Sequence, residues 1–230
     1  CVLDIETHNW TKFAFAGTYD GFTYKEHESI ESLIKSIFNY RNHNRTFFVH
    51  NGGRFDFLFI LEEIKKYKKI KIEKMIFNGS SLIFFEAEKS GVRISFQDTF
   101  PLFKMSLKKI GETFCKKQKL CGAIDFENGE KFDKNNKLHR DYLRLDCEVL
   151  LEAIENLRKY EFAKSTGLKL TISSQALAHF RTNFLKEKIF HPPNSVKKFI
   201  RKSMAGGRTE IFKFSSQNGA IYDVNSMYPA

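Results

Sequence analysis

Two acidic residues near the start of the chain have the spacing of a metal-binding pair. Asp4 and Glu6 lie two apart in Val-Leu-Asp-Ile-Glu, whose apolar residues predict a buried strand. Residues two apart on a strand point to the same face, so the two carboxylates are expected side by side. Such a pair repels and loses hydration unless a cation binds between its members. Because the same pattern is common on solvent-exposed strands, the pair alone leaves both interpretations open.

Three further residues stand where they could complete such a site. Asp56 follows Asn-Gly-Gly-Arg-Phe at residues 51–55, which predicts a tight turn into a helix. Tyr142 and Asp146 are four apart in a long helical pattern and therefore share one face. Taken singly, Asp56 is equally explained as an acid at a helix start, and Asp146 as a solvated helix residue. Together, the four carboxylates could hold two Mg²⁺ ions, which prefer oxygen ligands.

Hydrophobic periodicity and turn residues predict a mixed α/β fold around these acids. Predicted strands cover residues 1–6, 13–16, 21–24, 46–50, 70–77, 81–87 and 92–97. Predicted helices cover residues 29–40, 55–61, 107–113, 139–162, 174–187 and 195–204. The pattern changes after Thr166-Gly167, so we predict one domain over residues 1–167 and a second region over residues 168–230.

The composition narrows the classes of function. The 230 residues are 42% hydrophobic and 28% charged, which excludes a disordered chain. A net charge of +11 favours a polyanionic partner such as nucleic acid. The four cysteines form no Cys-x-x-Cys pair, which is typical of a reducing compartment. A signal peptide and a long apolar run are both missing from the sequence, so we expect neither secretion nor a membrane partner.

The acidic motifs resemble those of a known enzyme family, the family B DNA polymerases. Asp4-Ile5-Glu6, Asn51 with Phe55-Asp56, and Tyr142 with Asp146 are similar to its three exonuclease motifs. These motifs belong to the tyrosine-bearing branch of the DEDD exonuclease superfamily. The resemblance implies a ribonuclease-H-like 3′→5′ exonuclease domain followed by the start of a polymerase palm.

The end of the chain carries the most specific of these signals. Residues 223–229, Asp-Val-Asn-Ser-Met-Tyr-Pro, resemble the family's first polymerase motif. Gly206-Gly207 resembles the Gly-Gly element of the protein-primed branch, whose members come from bacteriophages, adenoviruses and linear plasmids. The resemblance therefore implies a terminal protein that primes DNA synthesis. Since both ends look cut, we expect the amino-terminal part of a longer polymerase, which by itself does not polymerise.

The resemblance also assigns roles to individual residues. Two Mg²⁺ or Mn²⁺ ions are expected in each active site, with Tyr142 positioning the attacking water. The implied metal ligands of the exonuclease are Asp4, Glu6, Asp56 and Asp146, and Asp223 is the metal ligand of the polymerase site. The implied DNA contacts are Thr7, Asn51, Phe55, Thr99, Phe100, Gly206 and Gly207. Ser226 and Tyr228 would bind the deoxynucleoside triphosphate in the full-length protein.

Two positions depart from the family pattern. A lysine is usual before the glycine at position 122, but this chain has Cys121, so the lysine's role is either absent or taken by Lys119. The aromatic residue usual before the Gly-Gly pair is replaced by Met204 in Ser-Met-Ala-Gly-Gly at residues 203–207. Coupling of the primer end between the two active sites could differ accordingly.

Two other functions remain open at this stage. A free-standing DEDD-type nuclease would share the acids but would leave residues 223–229 unexplained. A catalytically silent module that binds nucleic acid or a terminal protein would bind without cleavage. The richness in Lys, Asn, Ile and Phe is typical of an AT-rich coding sequence, which leaves open a mitochondrial linear plasmid or a viral replication site in the cytoplasm.

Overall fold

The chain forms two compact units, residues 1–186 and residues 187–230. The computed structural model describes residues 1–8, 11–122, 124, 130–187 and 192–203. The predicted domain boundary near residue 167 lies inside the first unit, and the functional domain limits stay a prediction. The expected start of a palm, at residues 204–230, lies outside the described residues.

A mixed β-sheet is the centre of the first unit. Its strands are β1 (Val2–His8), β2 (Lys12–Tyr19), β3 (Tyr24–His27), β4 (Arg45–Val49), β5 (Ile70–Asn78), β6 (Ser81–Lys89) and β7 (Val92–Asp98). Their order across the sheet is β3-β2-β1-β4-β7-β6-β5. The three adjacent strands β1, β4 and β7 run parallel, and the remaining neighbours pair antiparallel.

Helices flank this sheet and continue to the end of the described chain. In the first unit they are α1 (Ile30–Ile37), α2 (Asp56–Ile64), α3 (Phe100–Phe103), α4 (Leu107–Phe114), α5 (Lys137–Lys159), α6 (Glu161–Thr166) and α7 (Ile172–Asn183). The second unit contributes α8 (Asn194–Ser203). Among the described residues, no helix is both long and apolar enough to cross a membrane.

The two faces of the sheet bury different helices. Leu3 and Phe47 pack in one apolar cluster with residues of α1 and α2. Their chain neighbours Val2 and Phe48 pack in another cluster with residues of α3, α4 and α5. Because side chains alternate along a strand, Asp4 lies on the same side of β1 as Val2, toward α5. The alternation thus directs the acids of β1 to the helix that carries Asp146.

Several predicted boundaries differ from the structure: the helix predicted over residues 29–40 ends at Ile37, that over residues 174–187 ends at Asn183, and α3 was not predicted. Two further differences have a local explanation. The strand predicted over residues 21–24 begins only at Tyr24, because the Asp20 carboxylate accepts the backbone N–H groups of Phe22 (3.0 Å) and Thr23 (2.8 Å) and holds a turn there. The helix predicted over residues 139–162 ends at Lys159, since Tyr160 is extended (φ −69°, ψ 146°) and separates α5 from α6.

The turn between β4 and α2 depends on the absence of a side chain at Gly53. A Cβ atom at this position would lie 2.0 Å from the carbonyl oxygen of Leu82 in β6. That atom belongs to a paired strand and cannot move aside cheaply. The glycine therefore lets the turn lie directly against the sheet.

We expect Gly53→Ala to lower the free energy of unfolding by about 3 kcal/mol, the upper end of ordinary overpacking penalties. Urea denaturation followed by circular dichroism measures this loss. Gly91→Ala is the control, because a Cβ there meets nothing within 4 Å. Its only strain comes from the φ of +82°, which should lower the free energy of unfolding by about 1 kcal/mol. Equal losses in the two variants would contradict the steric explanation.

Candidate active site

A cavity of about 720 Å³ opens where β4 and β7 end. These two strands are parallel neighbours, so their carboxyl ends meet at one edge of the sheet. Open α/β sheets characteristically bind ligands at this edge. The lining residues are Asp4, Ile5, Glu6, Thr7, His50, Asn51, Phe55, Asp56, Phe100, Ser106, Leu107, Lys119, Glu130, Lys131, Tyr142 and Asp146.

The four predicted metal-binding acids come together in this cavity. Carboxylate oxygens of Asp4, Glu6 and Asp146 all lie within 4.8 Å of one another. Asp56, the first residue of α2, is 4% exposed and accepts the backbone N–H of Ile5 through Oδ1 at 3.1 Å. This bond ties the start of α2 to β1 between the two acids of that strand.

Crowding disfavours the charged form of each of these acids. Burial raises the pKa of Asp4, and the nearby ammonium of Lys119 opposes the shift. Burial and then the neighbouring Asp4 charge raise the pKa of both Glu6 and Asp56 well above the usual range. Burial likewise raises the pKa of Asp146 to about 7, again against the effect of Lys119. The group therefore needs additional positive charge to remain fully ionised.

Lys119 supplies part of that charge. Its ammonium contacts Oδ2 of Asp146 and lies 4.3 Å from the ring centroid of Tyr142. Burial acts to lower the pKa of Lys119, but Asp146 and Tyr142 outweigh it and raise the pKa overall. Cys121 is exposed and does not line the cavity. Of the two alternatives left by the sequence, the structure therefore brings Lys119 to the carboxylates.

The remaining donor atoms fit divalent cations. Oδ1 of Asp146 is buried and has no hydrogen-bond partner within the described part of the chain. The contact of the Lys119 ammonium with Asp146 balances only part of the negative charge of the four carboxyl groups. Clustered carboxylate oxygens are the ligands that Mg²⁺ and Mn²⁺ prefer. The residues present are thus chemically suited to hold such ions.

Most of the residues predicted to contact DNA line the same cavity. Thr7, Asn51, Phe55 and Phe100 form part of its wall. Thr99 does not, since it is fully buried and its hydroxyl donates to the carbonyl of Val49 at 3.1 Å. The structure therefore places Thr99 behind the wall instead of at its surface.

Sequence reasoning missed His50, which lies at the junction of β4 and α3. Its Nε2 donates to the carbonyl of Met105 at 3.0 Å, and its Nδ1 lies 3.0 Å from the hydroxyl of Thr99. Burial lowers the pKa of His50 to about 4, so the imidazole is neutral and its role here is that of a hydrogen-bonding brace. The signal that could have found it is its position directly after a strand that ends at the cavity.

The residues predicted to form the polymerase site and the Gly-Gly element belong to the last part of the chain. Asp223, Gly206, Gly207, Ser226 and Tyr228 lie outside the described residues, as does Met204. Their assignments stay predictions.

Comparison with known proteins relates the chain to one family. The family model "DNA polymerase type B, organellar and viral" matches residues 36–141 and 116–230. The chain is 30% identical over 225 residues to the DNA-directed DNA polymerase of Enterobacteria phage PRD1, covering 93% of this chain and 35% of that protein. It is 26% identical over 251 residues to a probable DNA polymerase of Ascobolus immersus, covering 88% of this chain and 21% of that protein. The chain thus spans between about a fifth and a third of these relatives.

Solved structures share its fold. Phi29 DNA polymerase complexed with primer-template DNA and incoming nucleotides superposes with a TM-score of 0.70 at 17% identity, covering 91% of this chain and 39% of that one. The same polymerase complexed with single-stranded DNA gives a TM-score of 0.67, covering 90% and 40%. The predicted ribonuclease-H-like α/β fold is therefore confirmed.

We expect MgCl₂ to stabilise the folded chain, because cations relieve repulsion among the four acids. At about ten times the dissociation constant, the melting temperature should rise by roughly 3–6 °C. The double variant Asp4→Asn with Glu6→Gln should melt higher than the unmodified chain in EDTA and should lose the Mg²⁺-dependent rise. Differential scanning calorimetry tests both statements, and an equal rise in the two proteins would contradict binding at these acids.

Proposed function

Since the chain belongs to the organellar and viral type B DNA polymerases, we propose that its first compact unit is their proofreading 3′→5′ exonuclease. The observation that carries this proposal is the convergence of Asp4, Glu6, Asp56 and Asp146 in one cavity. The substrate is the frayed, single-stranded 3′ end of a DNA primer. The product is a nucleoside monophosphate released from that end.

The wall of the cavity would bind the single-stranded end. Phe55 and Phe100 offer aromatic faces on which unpaired bases stack. Thr7 and Asn51 offer small polar groups that hydrogen-bond sugar or phosphate oxygens. Such contacts read the nucleic-acid backbone and base faces without sequence preference, which suits an enzyme that must remove any mispaired nucleotide.

The floor of the cavity would carry out hydrolysis. Asp4, Glu6, Asp56 and Asp146 would hold the two divalent cations, which supply stabilisation of the attacking and leaving oxygens. Tyr142 shares the α5 face with Asp146 and would orient the attacking water through its hydroxyl. The water oxygen bonds to the terminal phosphorus, the bond from phosphorus to the preceding 3′ oxygen breaks, and that oxygen takes up a proton.

We propose that the Lys119 side chain takes the role of the family's lysine, whose usual position is occupied by Cys121 in this chain. Its contact with Asp146 and its position over the ring of Tyr142 support this assignment. The ammonium would offset negative charge beside the scissile phosphate and hold the tyrosine in place.

For the full-length protein we propose template-directed DNA synthesis primed by a terminal protein. The family membership and the motif at residues 223–229 support it. Asp223 would bind the catalytic metal ions, and Ser226 with Tyr228 would contact the incoming deoxynucleoside triphosphate. Gly206 and Gly207 would contact DNA between the two active sites.

The first test is degradation of a labelled single-stranded oligonucleotide in Mg²⁺. The double variant Asp4→Ala with Glu6→Ala should be slower by at least about a hundredfold, the scale of losing preorganised electrostatic stabilisation. Glu86→Ala with Glu88→Ala is the matched control, because these acids are also two apart on a strand but lie outside the cavity. Unchanged activity in the first double variant would refute the mechanism, and an inactive wild-type chain that still binds DNA would favour a silent binding module.

The second test separates Lys119 from Cys121. Removing the ammonium with Lys119→Met should lower the single-turnover rate by roughly tenfold to a hundredfold, as expected for losing a hydrogen bond between charged groups. Cys121→Ala should leave the rate unchanged because its side chain is exposed outside the cavity. Full activity of the Lys119 variant would show that the chain works without this cation.

A further inference from the structure

Asp98, the last residue of β7, holds the DNA-binding wall of the cavity from behind. Its Oδ1 accepts the backbone N–H groups of Asn51 and Phe100, both at 2.9 Å. Its Oδ2 accepts the backbone N–H of Gly53 at 3.0 Å. Asp98 is only 3% exposed and does not line the cavity itself. We infer that Asp98 is a positioning residue that fixes the wall in the shape needed to bind a single-stranded 3′ end, an inference that rests on the proposed exonuclease function.

The backbone around these donors has a conformation that is typical of anion-binding turns. Asn51 adopts the left-handed conformation (φ +61°), and a short 3₁₀ turn follows at Gly52–Arg54. Successive N–H groups in such a turn point into a common concavity that binds negative charge. A carboxylate bonded to several backbone N–H groups forms stronger hydrogen bonds than a neutral acceptor would. Asp98 therefore links the turn after β4 to the start of α3, in addition to the contacts that His50 makes with Thr99 and Met105.

Each donor belongs to, or leads directly to, a residue of the wall. Asn51 and Phe100 line the cavity themselves. Gly53 belongs to the turn that presents Phe55, whose own N–H donates to the carbonyl of Gly52 at 3.0 Å. One carboxylate thus bonds to the backbone of both segments that carry the aromatic side chains proposed to stack on the bases.

The four acids on the floor are held by other contacts. Asp4 and Glu6 are positioned by the pairing of β1, and Asp146 by α5. Asp56 is tied to β1 through the N–H of Ile5. Loss of the Asp98 carboxylate should therefore weaken binding of the strand more than the hydrolytic step.

Asp98→Asn tests whether Asp98 acts on strand binding and not on hydrolysis, because asparagine keeps the side-chain shape but has only one acceptor oxygen. The Michaelis constant for a single-stranded oligonucleotide should rise roughly tenfold, the usual cost of one charged hydrogen bond, with kcat changed less than about threefold. Asp20→Asn is the matched control, since Asp20 also accepts two backbone N–H groups in a turn but lies outside the cavity. It should change neither constant.

Binding is measured separately by fluorescence anisotropy with a 5′-labelled oligonucleotide in the Asp4→Ala, Glu6→Ala background, which does not degrade the probe. Adding Asp98→Asn should raise the dissociation constant by the same roughly tenfold factor. An unchanged dissociation constant, a fall in kcat alone, or no measurable binding before Asp98 is changed would each overturn the inference. Failure of the wild-type chain to cleave would instead count against the proposed function, because this readout needs no cleavage.

Hydrogen exchange in the unaltered 230-residue chain tests the hydrogen bonds to Asp98 directly, even if the Asp98→Asn variant fails to fold. The amides of Asn51, Gly53 and Phe100 should be protected, although they lie at the ends of elements where amides usually exchange quickly. Exchange as fast as at the exposed turn of Gly79 would overturn the inference.

Discussion

Repulsion among buried carboxylates is the constraint on which this structure depends. Asp4 and Glu6 share one face of β1, and that face is covered by the helix carrying Asp146. Placing acids this close in a partly buried cleft costs free energy unless positive charge compensates for it. Lys119 provides one such charge, but Oδ1 of Asp146 has no hydrogen-bond partner among the residues that the structure describes. Because the fold keeps these acids together, additional positive charge near them would stabilise their ionised form.

The sheet explains why acids so far apart in sequence meet. Three parallel neighbours, β1, β4 and β7, bring their carboxyl ends to one edge, and the turns that leave β4 and β7 form the wall of the cavity. The acids and the wall share two segments, since Thr7 follows Glu6 on β1 and Phe55 precedes Asp56. Asp146 and Phe100 come from separate elements. Asp98 braces the wall, while the bond from Ile5 to Asp56 ties the wall's helix to the floor.

Local patterns predicted most of the elements but not every boundary. The hairpin at Asn78-Gly79 follows directly from its turn residues, and β5 to β7 begin where predicted. The start of β3 was displaced by a side chain of Asp20 that caps the preceding turn, and the long helix was broken at Tyr160, which carries no proline or glycine signal. Such shifts come from contacts between side chain and backbone that periodicity does not encode.

The sequence by itself determined which acids could act together, because motif order and spacing place Asp4 with Glu6, and Tyr142 with Asp146, on common faces of their elements. It also left two alternatives for the family's lysine, whose usual position is occupied by Cys121: the role is absent, or Lys119 takes it. Only the tertiary structure brings the Lys119 ammonium to Asp146. Lys119 lies in a segment without regular structure, where the direction of a side chain cannot be read from periodicity. The same holds for Thr99 and Asp98. Whether a residue faces the cavity or braces it from behind depends on how strands are paired, a relation between distant segments that no local pattern contains.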